Sequence, residues 1–337
     1  MSLIVSAGLP TGMEGLTYPI PFSTPESLIK IARHAEKLGY HSVWGNDHMT
    51  TQHYVREEFP VPPRFWEPLM TYAFVAANTT TLRFGTGILV LPMRRDIVVL
   101  AKQIATLDHF SGGRLEIGVG VGAYREEFDA LRPEGGVHRG DMVEEGVRAL
   151  QLLFKERNAT FEGKYYSYKD VELFPKPQQA NLPIYFGGNS ENHLRRVAEA
   201  ADGWIPAGMP ADKLKSMVTR MMEMTVQAGR DPSKIAVAPQ YIVHAGHNHE
   251  AAVARYRQSQ MQKHLASLSK STLKGQAGVS MEDINLIGNA DSIVEKVHRL
   301  KDAGVTHLLG LYFAANDVQE LLDQMQFFAE EITPRIV

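Results

Sequence analysis

The 337-residue chain contains no cysteine. That excludes disulfides, zinc–thiolate sites and a thiol nucleophile, and it fits a reducing compartment, so the cytoplasm is the expected location. No apolar run approaches the roughly 18 residues of a membrane span, and the N-terminus lacks the basic-then-apolar pattern of a secretory leader. Excess charge is scarce too. With 35 Lys+Arg against 38 Asp+Glu the net charge is −3, which gives no global field for nucleic acid or an anionic membrane, so neither is an expected partner. No strand runs into a G-x-G-x-x-G turn followed about twenty residues on by an acid, which argues against a dinucleotide-binding open sheet. No low-complexity tract or linker interrupts the chain, so residues 1–337 are expected to form a single domain.

What is present is a steady alternation. Strand-like runs fall at 3–9, 42–46, 83–91, 115–121, 183–187, 203–206, 235–243 and 307–313, with amphipathic helical patterns between them. The first helix is announced by Ser23-Thr24-Pro25-Glu26, a hydroxyl cap followed by proline at the first helical position. Leu28, Ile31, Ala32, Ala35 and Leu38 then recur at helical spacing, and Gly39 stops the run. Strands alternating with helices imply parallel pairing. Eight such units predict a (β/α)8 TIM barrel with insertions at its C-terminal mouth. The chain exceeds a minimal barrel by roughly 80–90 residues. The excess lies at 50–66, at 158–179, where Phe161 to Tyr168 reads as a short hairpin, and at 244–287, with Gly275 and Gly278 as flexible points.

Candidate chemistry sits at the strand ends, where a barrel places its active site. Asp47 and His48 end the second strand, and histidine is the side chain best suited to proton transfer near neutral pH; the plainer reading is a turn cap and a loop histidine. Gly85, Thr86, Gly87 and Ile88 lie inside the third strand, where glycines signal either close approach to a ligand or tight wall packing. Gly120, Gly122 and Tyr124 end the fourth strand and leave room for a flat ring or a phosphate. Gly187, Gly188, Asn189 and Ser190 precede a helix over 192–201 and would present backbone N–H groups to an anion, unless they only cap the helix. Arg94, Arg95 and Arg125 could neutralise a phosphate or acidic tail, or could pair with Asp96, Glu126 or Glu127. His244, His247 and His249 suggest a metal-dependent barrel hydrolase as a rival reading, against a polar loop. Phe59, Phe65, Trp66, Tyr124 and Tyr312 make an aromatic mouth for a small organic substrate.

Taken together these strings resemble the bacterial luciferase-like monooxygenase superfamily. The carriers are SVWGNDHM (42–49), RFGTGILVLP (83–92), LAKQIATLDHFSGGRLEIGVGVGAYREEF (100–128), PIYFGGNSENHLRRVAEAADGW (183–204) and LIGNADSIVEKVHRLKDAGVTHL (286–308), in order and across nearly the whole chain. The resemblance implies a barrel that binds reduced FMN, or its deazaflavin analogue, across the mouth. It implies that His48 handles a proton beside the ring with Asp47 orienting it. It implies that the Gly87-Ile88 bond is a non-prolyl cis peptide behind the ring, and that residues 187–190 hold the phosphate. Luciferase's phosphate arginine is replaced here by Val121, and the catalytic glutamate of the deazaflavin sugar-phosphate dehydrogenases by Ala123. The expectation is therefore a flavin-dependent monooxygenase served by a separate flavin reductase, with no resident metal and with homo-oligomeric assembly. The alternatives are a deazaflavin-dependent hydride-transfer oxidoreductase and a non-catalytic flavin binder.

Overall fold

A computed structural model describes residues 2–268 and 280–337. Its first helix, Pro25–Lys37, shows how local chemistry sets an element's limits. Ser27 N donates to Thr24 Oγ1 at 3.2 Å and Thr24 N donates to Ser27 Oγ at 2.9 Å, so two otherwise orphaned donors are satisfied reciprocally. Pro25 supplies a preset φ at the first turn. Leu28, Ile31, Ala32 and Ala35 form the buried face, and Gly39 ends the helix at φ +77°, a conformation cheap only for glycine. Replacing Thr24 by alanine would cost about 1 kcal/mol.

The strands are β1 (Ile4–Gly8), β2 (Ser42–Gly45), β3 (Arg83–Val90), β4 (Leu115–Gly120), β5 (Ala159–Glu162), β6 (Ser167–Val171), β7 (Ile184–Gly187), β8 (Gly203–Ile205), β9 (Ala236–Val237), β10 (Gln240–Gly246), β11 (Leu286–Asn289) and β12 (His307–Phe313). Ten of them form one curled parallel sheet in the order β11-β10-β12-β1-β2-β3-β4-β7-β8-β9. β5 and β6 form the separate antiparallel hairpin expected from the 158–179 segment. The alternation and the parallel pairing follow the sequence expectation.

Two features depart from it. The seventh strand is not continuous over 235–243. It breaks at Ala238 and Pro239, because Pro239 has no N–H to give a sheet neighbour. β9 then pairs with β8, and β10 pairs with β12 on one side and β11 on the other. The break also brings the two sides of the sheet together: Ala238 N donates to Trp204 O at 2.8 Å, while Leu309 N donates to Pro239 O at 3.1 Å. The second departure is β11, a four-residue strand that the sequence reading placed within and beside the 244–287 insertion. Gly275 and Gly278 lie outside the described residues.

Apolar packing occupies both faces. Inside the curl, Trp44, Tyr185, Ile205, Ala238 and Leu309 form a cluster of their own. Gly85 makes room for it, since a Cβ there would lie 2.5 Å from the Trp44 ring. Below the indole, Trp44 Nε1 donates to Ser42 Oγ at 2.8 Å, and Ser6 Oγ lies 2.7 Å from both Ser42 Oγ and His307 Nε2. Burial, with the nearby His41, depresses His307 to about 3, so this buried network holds a neutral imidazole. Among the described residues no helix is long and apolar enough to cross a membrane.

Candidate active site

The loops after β1 and β2 are stitched together at the mouth. Gly12 N donates to Asn46 Oδ1 and Asn46 Nδ2 donates to Gly12 O, both at 3.1 Å. Thr11 Oγ1 donates to Asn46 O at 2.7 Å. This paired clamp sets the direction of the chain into His48, whose Cδ2 would touch a Cβ at Gly12 at 3.3 Å.

His48 is 10% exposed and its Nδ1 lies 3.0 Å from Glu127 Oε2, itself on a residue 4% exposed. Glu127 Oε1 accepts from Met49 N and, at 3.1 Å, from Thr50 N. Gln52 Nε2 is 3.2 Å from the same His48 nitrogen. The Phe65 and Tyr124 rings stand 5.3 and 5.8 Å from the imidazole. Behind Tyr124, Tyr54 Oη is 3.3 Å from Tyr124 Oη and 3.1 Å from His264 Nδ1. Burial, followed by the proximity of His48, lowers His264 to about 4, so it sits neutral beside the mouth. Glu127 and His264 escaped the sequence reading. In the sequence Glu127 reads only as a counter-ion for an arginine, and burial on a helix beginning Arg-Glu-Glu has no sequence signal.

Asp47 does not orient His48. Its side chain is turned to the third strand, where Oδ2 accepts from Val90 N at 2.9 Å and both oxygens accept from Arg94 Nη2, at 3.0 and 2.9 Å. Arg94 also reaches Glu67 at 3.1 Å. Burial raises the proton affinity of the Asp47 carboxyl, and the Arg94 guanidinium and the Val90 N–H oppose that rise. The pair ties the end of β2 to the end of β3.

The third strand carries the expected irregularity. Gly87-Ile88 is a non-prolyl cis peptide, and the β3–β4 register shifts between Thr86 and Leu89. Gln240 Nε2 donates to Gly87 O at 3.2 Å and to Tyr312 Oη at 3.1 Å, which uses the Tyr312 hydroxyl within the wall. Ile88 projects against bare backbone: a Cβ on Gly120 would lie 2.9 Å from its Cδ1, and a Cβ on Gly187 2.7 Å from its Cγ2. Gly122, at φ +79°, packs in the same way on Val90. Gly85 and Thr86 serve the wall rather than the mouth. Gly85 accommodates Trp44, and the fully buried Thr86 hydroxyl donates to Gly118 O at 2.7 Å and accepts from Gly118 N at 3.0 Å across the register shift.

Residues 187–190 lead directly into the helix Glu191–Ala200. Gly188 has φ +138°, Trp204 Nε1 donates to its carbonyl at 2.7 Å, and Ala207 N donates to Asn189 Oδ1 at 3.0 Å. Ser190 makes no cap with its side chain. Instead its Oγ lies 2.6 Å from His193 Nδ1, while His193 Nε2 is buried with no partner among the described residues. Burial, then the charge of Arg196, lowers His193 to about 4. Beside this turn opens a cavity of about 320 Å³ whose lining includes Ser190, His193, Arg125, His138, Arg139 and Arg196. Arg139 donates to Val121 O and Gly122 O at 3.2 Å and makes no direct ion pair among the described residues, Asp129 acting on it only from further off. It was the arginine the sequence reading missed. The ones it named are otherwise engaged: Arg94 with Asp47 and Glu67, Arg95 with Glu134, and Arg125 with Asp129.

The three histidines after the seventh strand do not converge. His244 Nδ1 contacts Ala314 O at 2.8 Å, His247 meets the Phe327 ring, and His249 lies 3.3 Å from Ser292 Oγ. Among the described residues no group of three or more His, Asp or Glu side chains is placed to hold a metal ion.

Comparison with known proteins gives this mouth a context. A family model described as luciferase-like monooxygenase matches residues 5–307. An uncharacterized protein of Mycobacterium tuberculosis is 32% identical over 170 residues, which are 50% of this chain and 59% of that protein, so the chain matches under two thirds of its length. An F420-dependent glucose-6-phosphate dehydrogenase of Amycolatopsis mediterranei is 25% identical over 330 residues, 93% of this chain and 95% of that one. Among solved structures, an F420-dependent secondary alcohol dehydrogenase bound to an F420–acetone adduct superposes with a TM-score of 0.80 at 21% identity, covering 100% of both chains. The oxygenating constituent of 3,6-diketocamphane monooxygenase from Pseudomonas putida, in complex with FMN, gives 0.79 at 20%, covering 100% of this chain and 99% of that one. At these structural identities the likeness is one of fold.

Proposed function

This chain belongs to the luciferase-like monooxygenase family, and from that membership we propose that it is an oxidoreductase holding a deazaflavin across the mouth built by β2, β3, β4 and β7. The observation that carries the deazaflavin reading is the basic cavity at Ser190, where, among the described residues, Arg139 makes no direct ion pair and the His193 Nε2 has no partner. A cofactor with a phosphate and an acidic tail supplies what both groups lack. The ring would lie on a bare wall, since Gly120 and Gly187 carry no side chain and Ile88 packs on both. The relatives that use F420 support the same choice.

When bound, a deazaflavin supplies hydride transfer, whereas reduced FMN supplies oxygen activation. The chain's own part is binding, orientation and proton handling. Residues 187–190 and Arg139 hold the anionic end, Ile88 backs the ring, and His48 takes or returns the substrate proton. Phe65 and Tyr124 line the approach for a small, partly apolar substrate. Asp47 is a support for the strand ends. We read β9 and β10 as one broken strand, which makes the sheet an eight-stranded barrel with β11 added at its flank, and residues 1–337 as one domain that assembles with copies of itself.

The second reading is an FMN monooxygenase, favoured by the close contact of Ile88 with Gly120 and Gly187, which would keep water from the ring. It requires a separate reductase to deliver reduced FMN. Anaerobic titration with each reduced cofactor, followed by admission of oxygen, separates the two. Preference for the deazaflavin without an oxygen reaction is the expected result. Tight FMN binding with oxygen consumption would replace it by the second reading, and binding of neither would remove both.

A further inference from the structure

We infer that Glu127 is the positioning residue for the mouth histidine: its carboxylate holds the Nδ1 hydrogen of His48, so that Nε2 is the proton-accepting nitrogen. The role of Nε2 in turnover rests on the redox reading above; the tautomer does not. The geometry is specific. Oε2 lies 3.0 Å from Nδ1, and Oε1 takes the N–H groups of Met49 and Thr50. Two backbone N–H groups converging on one oxygen favour the carboxylate over the acid, and a carboxylate can only accept. The hydrogen therefore belongs on Nδ1. Gln52 competes for the same nitrogen from 3.2 Å. An amide N–H can bond only to a bare Nδ1, however, and a charge-assisted bond is roughly twice as strong as a neutral one. The Gln52 amide then turns its oxygen towards the ring, an orientation set by the network.

The other titratable groups around His48 do not dispute the assignment. Glu126 faces His53 at 2.7 Å. Asp47 is held by Arg94. Tyr124 and Tyr54 keep their phenolic protons because burial raises both. His264 is neutral for the same physical reason, burial acting on a base. Glu127 is the one described acid within hydrogen-bond reach of His48. One carboxylate thus sets the tautomer of the imidazole and anchors Met49 and Thr50, where the chain enters the 50–66 excursion.

The test separates these two duties. In Glu127→Gln the carbonyl oxygen can still accept from Met49 and Thr50, while the amide N–H₂ faces Nδ1 and reverses its preference. Nitrogen-15 imidazole spectra of the apo-protein, with His48 assigned by difference against His48→Gln among the 13 histidines, should show Nδ1–H in the parent and Nε2–H in Glu127→Gln. Turnover should fall by about 10²–10⁴-fold, the usual range for a general acid or base, with the cofactor dissociation constant and melting temperature near those of the parent. Glu127→Ala should lower the melting temperature as well. A parent spectrum showing Nε2–H overturns the proposal. So does a Glu127→Gln protein with parental tautomer and turnover, which would leave Glu127 only a loop anchor. If neither cofactor binds, the redox reading fails while the spectra still decide the tautomer.

Discussion

Ile88 and Gly187 occupy each other's space: a single carbon added to Gly187 would lie 2.7 Å from Ile88 Cγ2. Gly187→Ala must therefore displace Ile88, the residue proposed to back the ring. The expected result is a weakening of cofactor binding by about tenfold, or 1.4 kcal/mol. Ile88→Ala in the same chain should restore much of the loss. Dissociation constants of the four proteins in this cycle provide the check; strictly additive effects would mean that the two residues do not meet in the bound state.

His48→Ala should reduce turnover by about 10²–10⁴-fold, the usual range for a general acid or base, and leave cofactor affinity unchanged. Stopped-flow turnover alongside equilibrium titration tests this. Parental turnover would remove His48 from the reaction.

Arg139→Ala should weaken deazaflavin by about tenfold and FMN by less, because the acidic tail offers more charge to the guanidinium. The salt dependence of deazaflavin binding should flatten in the variant. Equal losses for both cofactors at every ionic strength would place the tail elsewhere.

His193 is held down to about 4 by burial first and Arg196 second. In the folded apo-protein it is therefore neutral at about pH 6, while an unfolded histidine is half protonated near 6.5. Its contribution to stability is present above that value and is lost as pH falls towards 4. An anion at Ser190 would favour the protonated ring and reverse part of that loss. Sulfate, whose own charge stays constant over this range, should raise the melting temperature more at about pH 5 than at about pH 7.5 relative to chloride at equal ionic strength. The difference should vanish in His193→Gln. The same stabilisation at both pH values would speak against an anion next to this imidazole.

Glu36 staples the first helix to the start of β3. Partial burial pushes its carboxyl up, but N–H donors from Thr81, Leu82 and Thr80, at 2.6, 2.9 and 2.8 Å, outweigh that and hold it at about 2. A depressed carboxylate stabilises the fold above its unfolded value, near 4.5, and ceases to do so as pH falls through about 2. Glu36→Gln should cost about 1.5 kcal/mol at neutral pH, the low end of the scale of a hydrogen bond to a charged group. The gap to the parent should close in acid denaturation followed by circular dichroism between about pH 5 and pH 2. A constant gap would mean that charge plays no part.

Periodicity and punctuation made the alternating architecture legible, because buried parallel strands are near-continuous apolar runs and Gly39 or Pro25 mark their neighbours' ends. The break at Pro239 was visible as a residue but not as a change of partner, since pairing is a non-local property. β11 was hidden by its length: four residues carry too little pattern. In the mouth, glycine spacing and the Asp47-His48 pair pointed to the right strand ends, and the residues carrying the family resemblance included the cis bond at Gly87-Ile88. The partner assignments did not follow. Asp47 is next to His48 in sequence, yet consecutive side chains at a strand end point apart, so Asp47 went to Arg94 and His48 found Glu127 from 79 residues away. Arg139 was unremarkable in sequence because the lack of a direct ion pair is a property of the fold and leaves no mark on the residue itself.

The anchoring of Met49 and Thr50 by Glu127 has an evolutionary reading. The 50–66 excursion begins from a fixed root, so its exposed middle, residues 57–62, can be exchanged while Gln52 and Phe65 stay against the imidazole. Descendants of such a chain could trade one substrate for another by rewriting this cassette alone, inheriting the proton chemistry intact.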